Sequence, residues 1–375
     1  MCSQMLGDMG AEIIKIERAG EGEFLRNTSY IFKGGESVSF LGLNRNKESL
    51  GIDLSKPEGK EIVYKLTKVS DVVLENFRPT VMDKLGLGYE HLAKINPGIV
   101  FCSISGYGQT GPYVDLPGQD LLVQGYGGMQ SYIGDPDAPP VVVGGGILDL
   151  TCGFHAAYGI MVALWERQRS GEGQRIEMSL LDGALAVQTV DCNFFLNGSE
   201  VPYKVRSGHF SMSPYGAYRT KDHWINLNAT STARWTTLTT ALGAPELAND
   251  PRFDTLQKRV ARRDEVRSVL EAILTTKDTE EWLKILGDAG VLCSPLHDLE
   301  QVFNDPQVHH NKMVEEFDHP KAGKVKVVGI PVKLSRTPGQ VRTPPPAVGQ
   351  HTDEILRSLG YTTEQIASLR EAKVV

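Results

Sequence analysis

Cysteine is scarce and badly placed for cross-links or metal. The five residues, Cys2, Cys102, Cys152, Cys192 and Cys293, are odd in number, lie far apart and form no CxxC or Cys/His spacing. This excludes a disulfide scaffold and a zinc module, and predicts free thiols in a reducing, cytoplasmic setting. Basic charge is also short, with 39 Lys and Arg against 46 Asp and Glu for a formal net charge of −7. That balance disfavours non-specific attraction to nucleic acid or anionic lipid, although a local basic pocket remains compatible with it. No apolar run reaches the roughly 20 residues that span a bilayer. The longest uncharged stretch near the middle, Leu150 to Trp165, has 16 residues and carries Thr151 and His155, so a buried core helix is expected there. The start, MCSQMLGDMG, has neither the basic n-region nor the apolar h-region of a secretory signal.

Familiar catalytic signatures are missing as well. There is no GxxxxGK[ST], and no GxGxxG that follows a strand and opens a helix, which removes support for nucleotide hydrolysis and for Rossmann-type NAD binding. There is no GxSxG elbow and no HExxH. His309 and His310 form a pair without a third ligand nearby, and are read as surface residues. Neither an internal repeat nor a low-complexity tract is visible.

What is there is ordinary globular material. At 375 residues, with 41% apolar and 23% charged residues, the chain is long enough for two domains or one large domain with a smaller one embedded. Its first half alternates short β-branched runs with helical periods, the pattern of a parallel sheet covered by helices. Strands are expected at Ala11–Ile16, Glu48–Asp53, Asp71–Leu74, Ile99–Ser105 and Arg175–Ser179. Ser55, Pro57 and Glu58 predict a capping-box start to a helix whose Ile62, Val63, Leu66 and Val69 share one face. Thr80–Lys94 and Leu150–Arg167 read as further helices, the latter followed after its strand by a helix from Asp182. A strand at Trp224–Leu227 and helices near 234–242, 262–275 and 279–289 suggest a smaller domain at about 200–300. Beyond the proline-rich stretch RTPPPAVG, two short helices are expected after Thr352 and Thr363.

Between Gly106 and Gly146 glycine-rich loops replace regular elements, which makes this the natural place for chemistry. Gly144, Gly145 and Gly146 set bare backbone beside Asp149, at the start of an apolar helix. One reading makes Asp149 a helix N-cap; another makes it a nucleophile, and a helix N-terminus favours the ionised carboxylate that either role needs. Asp120, in PGQDLL, is the second carboxylate of the region, and is either a turn or cap residue or one half of an acid–base division of labour. Asn76 and Phe77 follow one expected strand and Arg18 another, at the carboxyl ends where open α/β sheets place ligand contacts.

Seven blocks, LGDMGAEIIKIER, NRNKESLGIDLSKPEGK, DVVLENFRP, GLGYEHL, NPGIVFCSISGYGQTGP, GGGILDLTCG and VGQHTDEILRSLGY, together resemble the class III CoA-transferases, a family that includes formyl-CoA and carnitine CoA-transferases. The resemblance spans nearly the whole chain and implies a large Rossmann-like α/β parallel-sheet domain with a smaller α+β domain. Residues 1–199 would begin the large CoA-binding domain, 200–300 form the small one, and 301–375 return to complete the first. It also implies an interlocked homodimer in which each chain threads the other. By the same resemblance Asp149 is the nucleophile that attacks an acyl-CoA thioester, giving a mixed anhydride and then an aspartyl-CoA thioester. Gly144, Gly145 and Gly146 would stabilise oxyanions, and Arg18, Asn76, Phe77 and Lys84 fall at positions resembling CoA contacts. Lys84 stands where some members have arginine. Asp120 matches an acidic position near the reacting centre, and His209, in SGHFSMSPYGAY, lies in a segment resembling an active-site loop of dicarboxylate-using relatives.

Two departures from the family pattern bear on function. Related α-methylacyl-CoA racemases would need a histidine before the acidic residue, in a GHD setting, whereas here the run is Gly118-Gln119-Asp120. Glutamine has no nitrogen that titrates near neutrality, so it is no general base and transferase is favoured over racemase. Family members usually open with a strand and an AGP-type turn that contributes to the CoA and acyl site, and the present sequence starts at the helix after it. Either this start is internal to a longer product or the first strand is absent, and the latter motivates a third reading, a CoA-binding homologue without activity. The expectation is a transferase moving CoA from an acyl-CoA to a carboxylic acid, with the thioester as substrate, no permanently bound cofactor, no metal, and no nucleic-acid or membrane partner.

Overall fold

Short β-branched runs form parallel strands in the first of two units into which the chain divides. The computed structural model describes all 375 residues, and this first unit comprises Met1–Gly127, Gly144–Val187 and Asp305–Val375. Strand β1 (Ile14–Glu17) pairs in parallel with β2 (Glu48–Gly51). A second parallel sheet has the order β3 (Val72–Glu75), β4 (Val100–Ser105), β5 (Arg175–Ser179). Hydrogen bonding thus divides the parallel strands into a pair and a triplet rather than one continuous sheet. β4, VFCSIS, is almost wholly buried, as its unbroken apolar character requires of a central parallel strand.

The helices that position the site are α1 (Cys2–Asp8), α2 (Pro57–Val69), α3 (Asp120–Tyr126), α4 (Ile147–Ser170) and α5 (Leu180–Val187). α2 buries Ile62, Val63 and Leu66, but Val69 is 74% exposed, at the last turn where the helix leaves the core. The expected capping box is not formed: Asp53 Oδ1 accepts from both the Ser55 N–H and its hydroxyl, so Ser55 is spent in a turn and Lys56 becomes the N-cap residue. The expected helix over 80–94 is two helices, Val81–Leu85 and Tyr89–Ile95, parted by Gly86 at φ 76°. The tail is stitched onto the N-terminal strands: Asn46 Nδ2 donates to Gln340 O (2.8 Å), Gly349 N to Ser49 Oγ (2.7 Å), and Asp53 N to Val374 O (2.8 Å). A hairpin, Val314–His319 with Gly323–Val328, went unrecognised in the sequence and belongs to this tail.

The second unit comprises Gly128–Val143 and Gln188–Asn304. It therefore takes in 128–143 and 188–199 besides the 200–300 span expected of a small domain. Its antiparallel sheet sets Trp224–Asn228 between Leu292–Pro295 and Tyr215–Arg219, and helices Thr232–Ala241, Arg263–Leu274 and Thr279–Asp288 supply the apolar core around Trp235. Trp235 Nε1 donates to Leu247 O (3.1 Å), which satisfies the one polar atom of a fully buried indole. Arg259, equally buried, has no carboxylate; its guanidinium donates to the carbonyls of Ser213, Thr230 and Phe253.

Candidate active site

The 24-residue helix α4 carries the candidate nucleophile to one edge of the parallel sheet. Near its start, Cys152 Sγ donates to Ser179 O (3.3 Å) at the carboxyl end of β5. Near its finish, Arg167 donates to Gly98 O (3.0 Å) and to Asp71 Oδ1 (2.6 Å), just ahead of β4 and β3. α4 therefore runs antiparallel to the strands, and its N-terminus lies at their carboxyl edge, where open α/β sheets bind ligands.

The start of α4 is built by glycine. Gly145 (φ 82°) and Gly146 (φ 64°) are both left-handed, a conformation costly for any residue with a Cβ, and the turn they make starts the helix three residues before the expected Leu150. Gly146 is the N-cap residue and supplies no side chain. Asp149 is the third helical residue, not the cap. The cap comes instead from Asp120, on α3: its Oδ2 accepts from the backbone N–H of Leu148 (2.7 Å) and of Asp149 (3.3 Å). Asp120 Oδ1 accepts in turn from Gln124 Nε2, one turn along α3 and completely buried. Asp120 is thus a cap residue, but of a helix 28 residues away in sequence.

Electrostatics follow from this placement. Asp149 keeps solvent access on one side, as a reactive carboxylate must. Partial burial at the helix N-terminus pushes its carboxyl above the usual aspartate range, and the neighbouring Asp120 charge pushes it further the same way.

Asp120 is itself held by backbone. Gly106, immediately after β4, and Gly118 lie in direct contact; a Cβ on either would stand 2.4 or 2.3 Å from the other's Cα. This contact buckles the ends of the 107–117 loop together two residues before Asp120. Tyr107, Tyr113 and Tyr126 pack around one another over the same loop, with ring centroids 5.2–5.8 Å apart. Sequence reasoning passed over both the glycine contact and Gln124. The i,i+4 spacing of Asp120 and Gln124 was the one signal available for the latter.

The residues expected to touch CoA are all exposed. Asn76 and Phe77 follow the carboxyl end of β3, at the edge shared with Gly106 and the start of α5, and the Phe77 N–H donates to Glu75 Oε2 (2.7 Å). Phe77 presents about half of its ring to solvent (47% exposed). Burial raises the Glu75 carboxyl above the usual glutamate range. Lys84 lies on the helix Val81–Leu85 that follows, and Arg18 follows β1 and pairs with Glu21 at 3.0 Å. His309 and His310 are exposed, as read from the sequence, and no group of three or more potential metal ligands is present.

His209 belongs to the second unit, and both of its ring nitrogens are engaged there. Nδ1 accepts from the Ser211 N–H (3.3 Å) and lies 3.0 Å from Ser211 Oγ, leaving Nε2 to carry a proton toward Asp191 Oδ1 at 2.9 Å. In this arrangement the imidazole has no free nitrogen to offer a substrate.

A sequence profile described as CoA-transferase family III matches residues 1–352. The succinyl-CoA:glutarate CoA-transferase of Mus musculus is 37% identical over 354 residues, covering 94% of this chain and 81% of its own. A succinyl-CoA–D-citramalate CoA-transferase of Chloroflexus aurantiacus is 35% identical, covering 100% and 94%. Among solved structures, a CAIB/BAIF family protein from Brucella suis superposes with a TM-score of 0.83 at 32% identity, covering 96% of this chain and 94% of that one. On these matches, with the parallel-sheet α/β fold that carries them, the chain belongs to CoA-transferase family III, a family of enzymes.

Proposed function

We propose that this enzyme moves CoA from an acyl-CoA donor to a short dicarboxylate through covalent intermediates on Asp149. The carrying observation is the placement of Asp149: a carboxylate in the first turn of α4, open to solvent, at the carboxyl edge of the sheet, with its helix already capped by another residue. Asp149 Oδ attacks the thioester carbonyl carbon, the C–S bond breaks, and CoA leaves as thiolate with a mixed anhydride left behind. The thiolate then attacks the Asp149 carbonyl and expels the donor as its free carboxylate, giving an aspartyl-CoA thioester. The acceptor carboxylate attacks that thioester and releases thiolate again. Finally the thiolate attacks the acceptor acyl carbon, which forms the new acyl-CoA and restores Asp149. Every step exchanges a nucleophile and a leaving group, so no net proton, electron or water is consumed.

The glycines 144–146 offer backbone without side chains next to the reacting carbon, where amide N–H groups stabilise oxyanions. Arg18, Asn76, Phe77 and Lys84 are the CoA contacts of this proposal. The dicarboxylate preference draws on relatives whose names specify glutarate and citramalate as acceptors. His209, fixed between Asp191 and Ser211, shapes its loop rather than binding substrate through its ring nitrogens.

The working form of the proposal is a cytoplasmic homodimer. All five cysteines are free thiols, which suits a reducing compartment. α4 is long and apolar enough to cross a membrane by length and composition alone; where a buried core helix was expected, one of its sides is buried. Its other side shows Phe154, Tyr158, Met161, Val162 and Trp165 to solvent, a stripe at helical spacing that a second copy would cover.

Incubation with succinyl-CoA followed by hydroxylamine trapping and peptide mass analysis tests the chemistry. A hydroxamate on the peptide holding Asp149 is expected, and Asp149→Ala should fold yet lose exchange. Full exchange by Asp149→Ala would remove Asp149 from the mechanism.

A further inference from the structure

An α-helix begins with N–H groups that have no partner in their own helix, and side chains near the start compete to bond them. In α4 the N-cap residue is Gly146, which has nothing to offer. Asp149 itself competes for the seat at its own N–H, because an aspartate side chain can bond its own backbone donor. A reactive carboxylate engaged in this way would be held by its own backbone and weakened as a nucleophile.

We propose that Asp120 is a positioning residue that occupies this seat from outside the helix and thereby leaves the Asp149 carboxylate free to react. Its contacts point to that work. Its Oδ2 takes the N–H groups of Leu148 and Asp149, its Oδ1 is held by buried Gln124, and the Gly106–Gly118 contact fixes the backbone from which it projects. Asp120 thus acts through Asp149 and forms no bond with substrate. The proposal rests on Asp149 as nucleophile for its kinetic consequence, and on the α4 geometry alone for its structural one.

The same placement sets a titration. The groups facing Asp149 are Asp120 from α3 and Cys152 on its own helix, which also feels Asp182 of α5. Among these, Asp120 raises the Asp149 carboxyl. Removing Asp120 both withdraws a negative charge and opens the seat to Asp149, and each change lowers the pH at which Asp149 ionises.

Asp120→Ala and Asp120→Asn separate these effects. In Asp120→Ala, kcat for CoA exchange should fall roughly 10- to 100-fold with little change in KM for acyl-CoA, and the acid limb of the pH profile should move to lower pH. Asp120→Asn keeps an oxygen on the seat without the charge, so kcat should return to within about threefold while the acid limb stays shifted. Carboxyl ¹³C NMR of aspartate-labelled protein, with the Asp149 signal identified by its loss in Asp149→Asn, reads the titration directly and independently of turnover. An unmoved Asp149 midpoint in the Asn variant, or equal kcat loss in both folded variants, overturns the proposal. If the Ala variant does not fold, kcat of the Asn variant decides: a loss well beyond threefold overturns the proposal. Exchange that survives Asp149→Ala would instead overturn the covalent mechanism and leave the NMR result to judge the capping.

Discussion

Gly118→Ala isolates the backbone contact that anchors Asp120. Neither Gly106 nor Gly118 has a positive φ, so alanine suits the local conformation and only the close approach is perturbed. The new Cβ would stand 2.3 Å from Gly106 Cα. Carbon atoms pack at about 3.5–4.0 Å, so the two segments must separate by roughly 1.2–1.7 Å. Overpacking of this kind costs about 1–3 kcal/mol, a drop of several degrees in Tm for a chain of this size. Asp120 lies two residues along and moves with the segment. A displacement of about 1 Å at a reacting geometry costs on the order of 100-fold in rate, so kcat should fall by one to two orders of magnitude while the protein stays folded. Gly111→Ala is the control: it sits in the same loop at φ 96° with nothing within 4 Å of a built Cβ, so it strains the backbone by about 1–2 kcal/mol without touching the anchor. Steady-state exchange kinetics and thermal unfolding of both variants read the difference. Wild-type kcat and Tm in Gly118→Ala, or an equal kcat loss in Gly111→Ala, would refute the anchoring argument.

Other consequences are open to measurement. Because the folded protein raises the Asp149 carboxyl above its unfolded value, native Asp149 binds its proton more tightly than the unfolded chain does; that stability is present below about pH 4 and is lost as pH rises through the folded value. Asp149→Asn should therefore raise Tm at pH 7 and lose this advantage toward pH 4, and a Tm difference that ignores pH would contradict the assignment. Lys84→Ala and Arg18→Ala should each raise KM for acyl-CoA by roughly tenfold, the worth of one charge-assisted contact, with kcat nearly unchanged. Loss of kcat without a change in KM would place these residues elsewhere. Sedimentation at micromolar concentration should find a dimer, and Tyr158→Lys with Trp165→Lys on the exposed stripe of α4 should weaken it. A wild-type monomer would count against the homodimer.

The sequence displayed those features that depend on near neighbours. The parallel strands, the long helix α4 and the glycine-rich approach to Asp149 all follow from local patterns, because burial on both faces and left-handed turns write themselves into adjacent residues. Long-range competition is where local reading failed. Ser55 had the spacing of a capping box, but Asp53 reached it first. Asp149 had the look of an N-cap, but the two glycines moved the helix start and Asp120 filled the role from 28 residues upstream. A pattern reader sees a carboxylate before a helix and cannot see which carboxylate arrives. The Gly106–Gly118 contact was equally invisible, since each glycine alone reads as an ordinary loop residue and only the fold brings them face to face.

The length of α4 also acts as a gauge. Arg167 grips the entry side of the sheet through Gly98 and Asp71, and Asp149 stands 18 residues earlier at the exit side, about 27 Å along the helix. Such a rod tolerates substitution but not a change of count. Deleting one residue between the two points would draw Asp149 back by about 1.5 Å and swing it by about 100° around the axis, out of line with Asp120. Insertions in this protein should thus be confined to surface loops, while the span from 149 to 167 keeps its tally, with the far anchor at Arg167 setting the aim of a carboxylate it never touches.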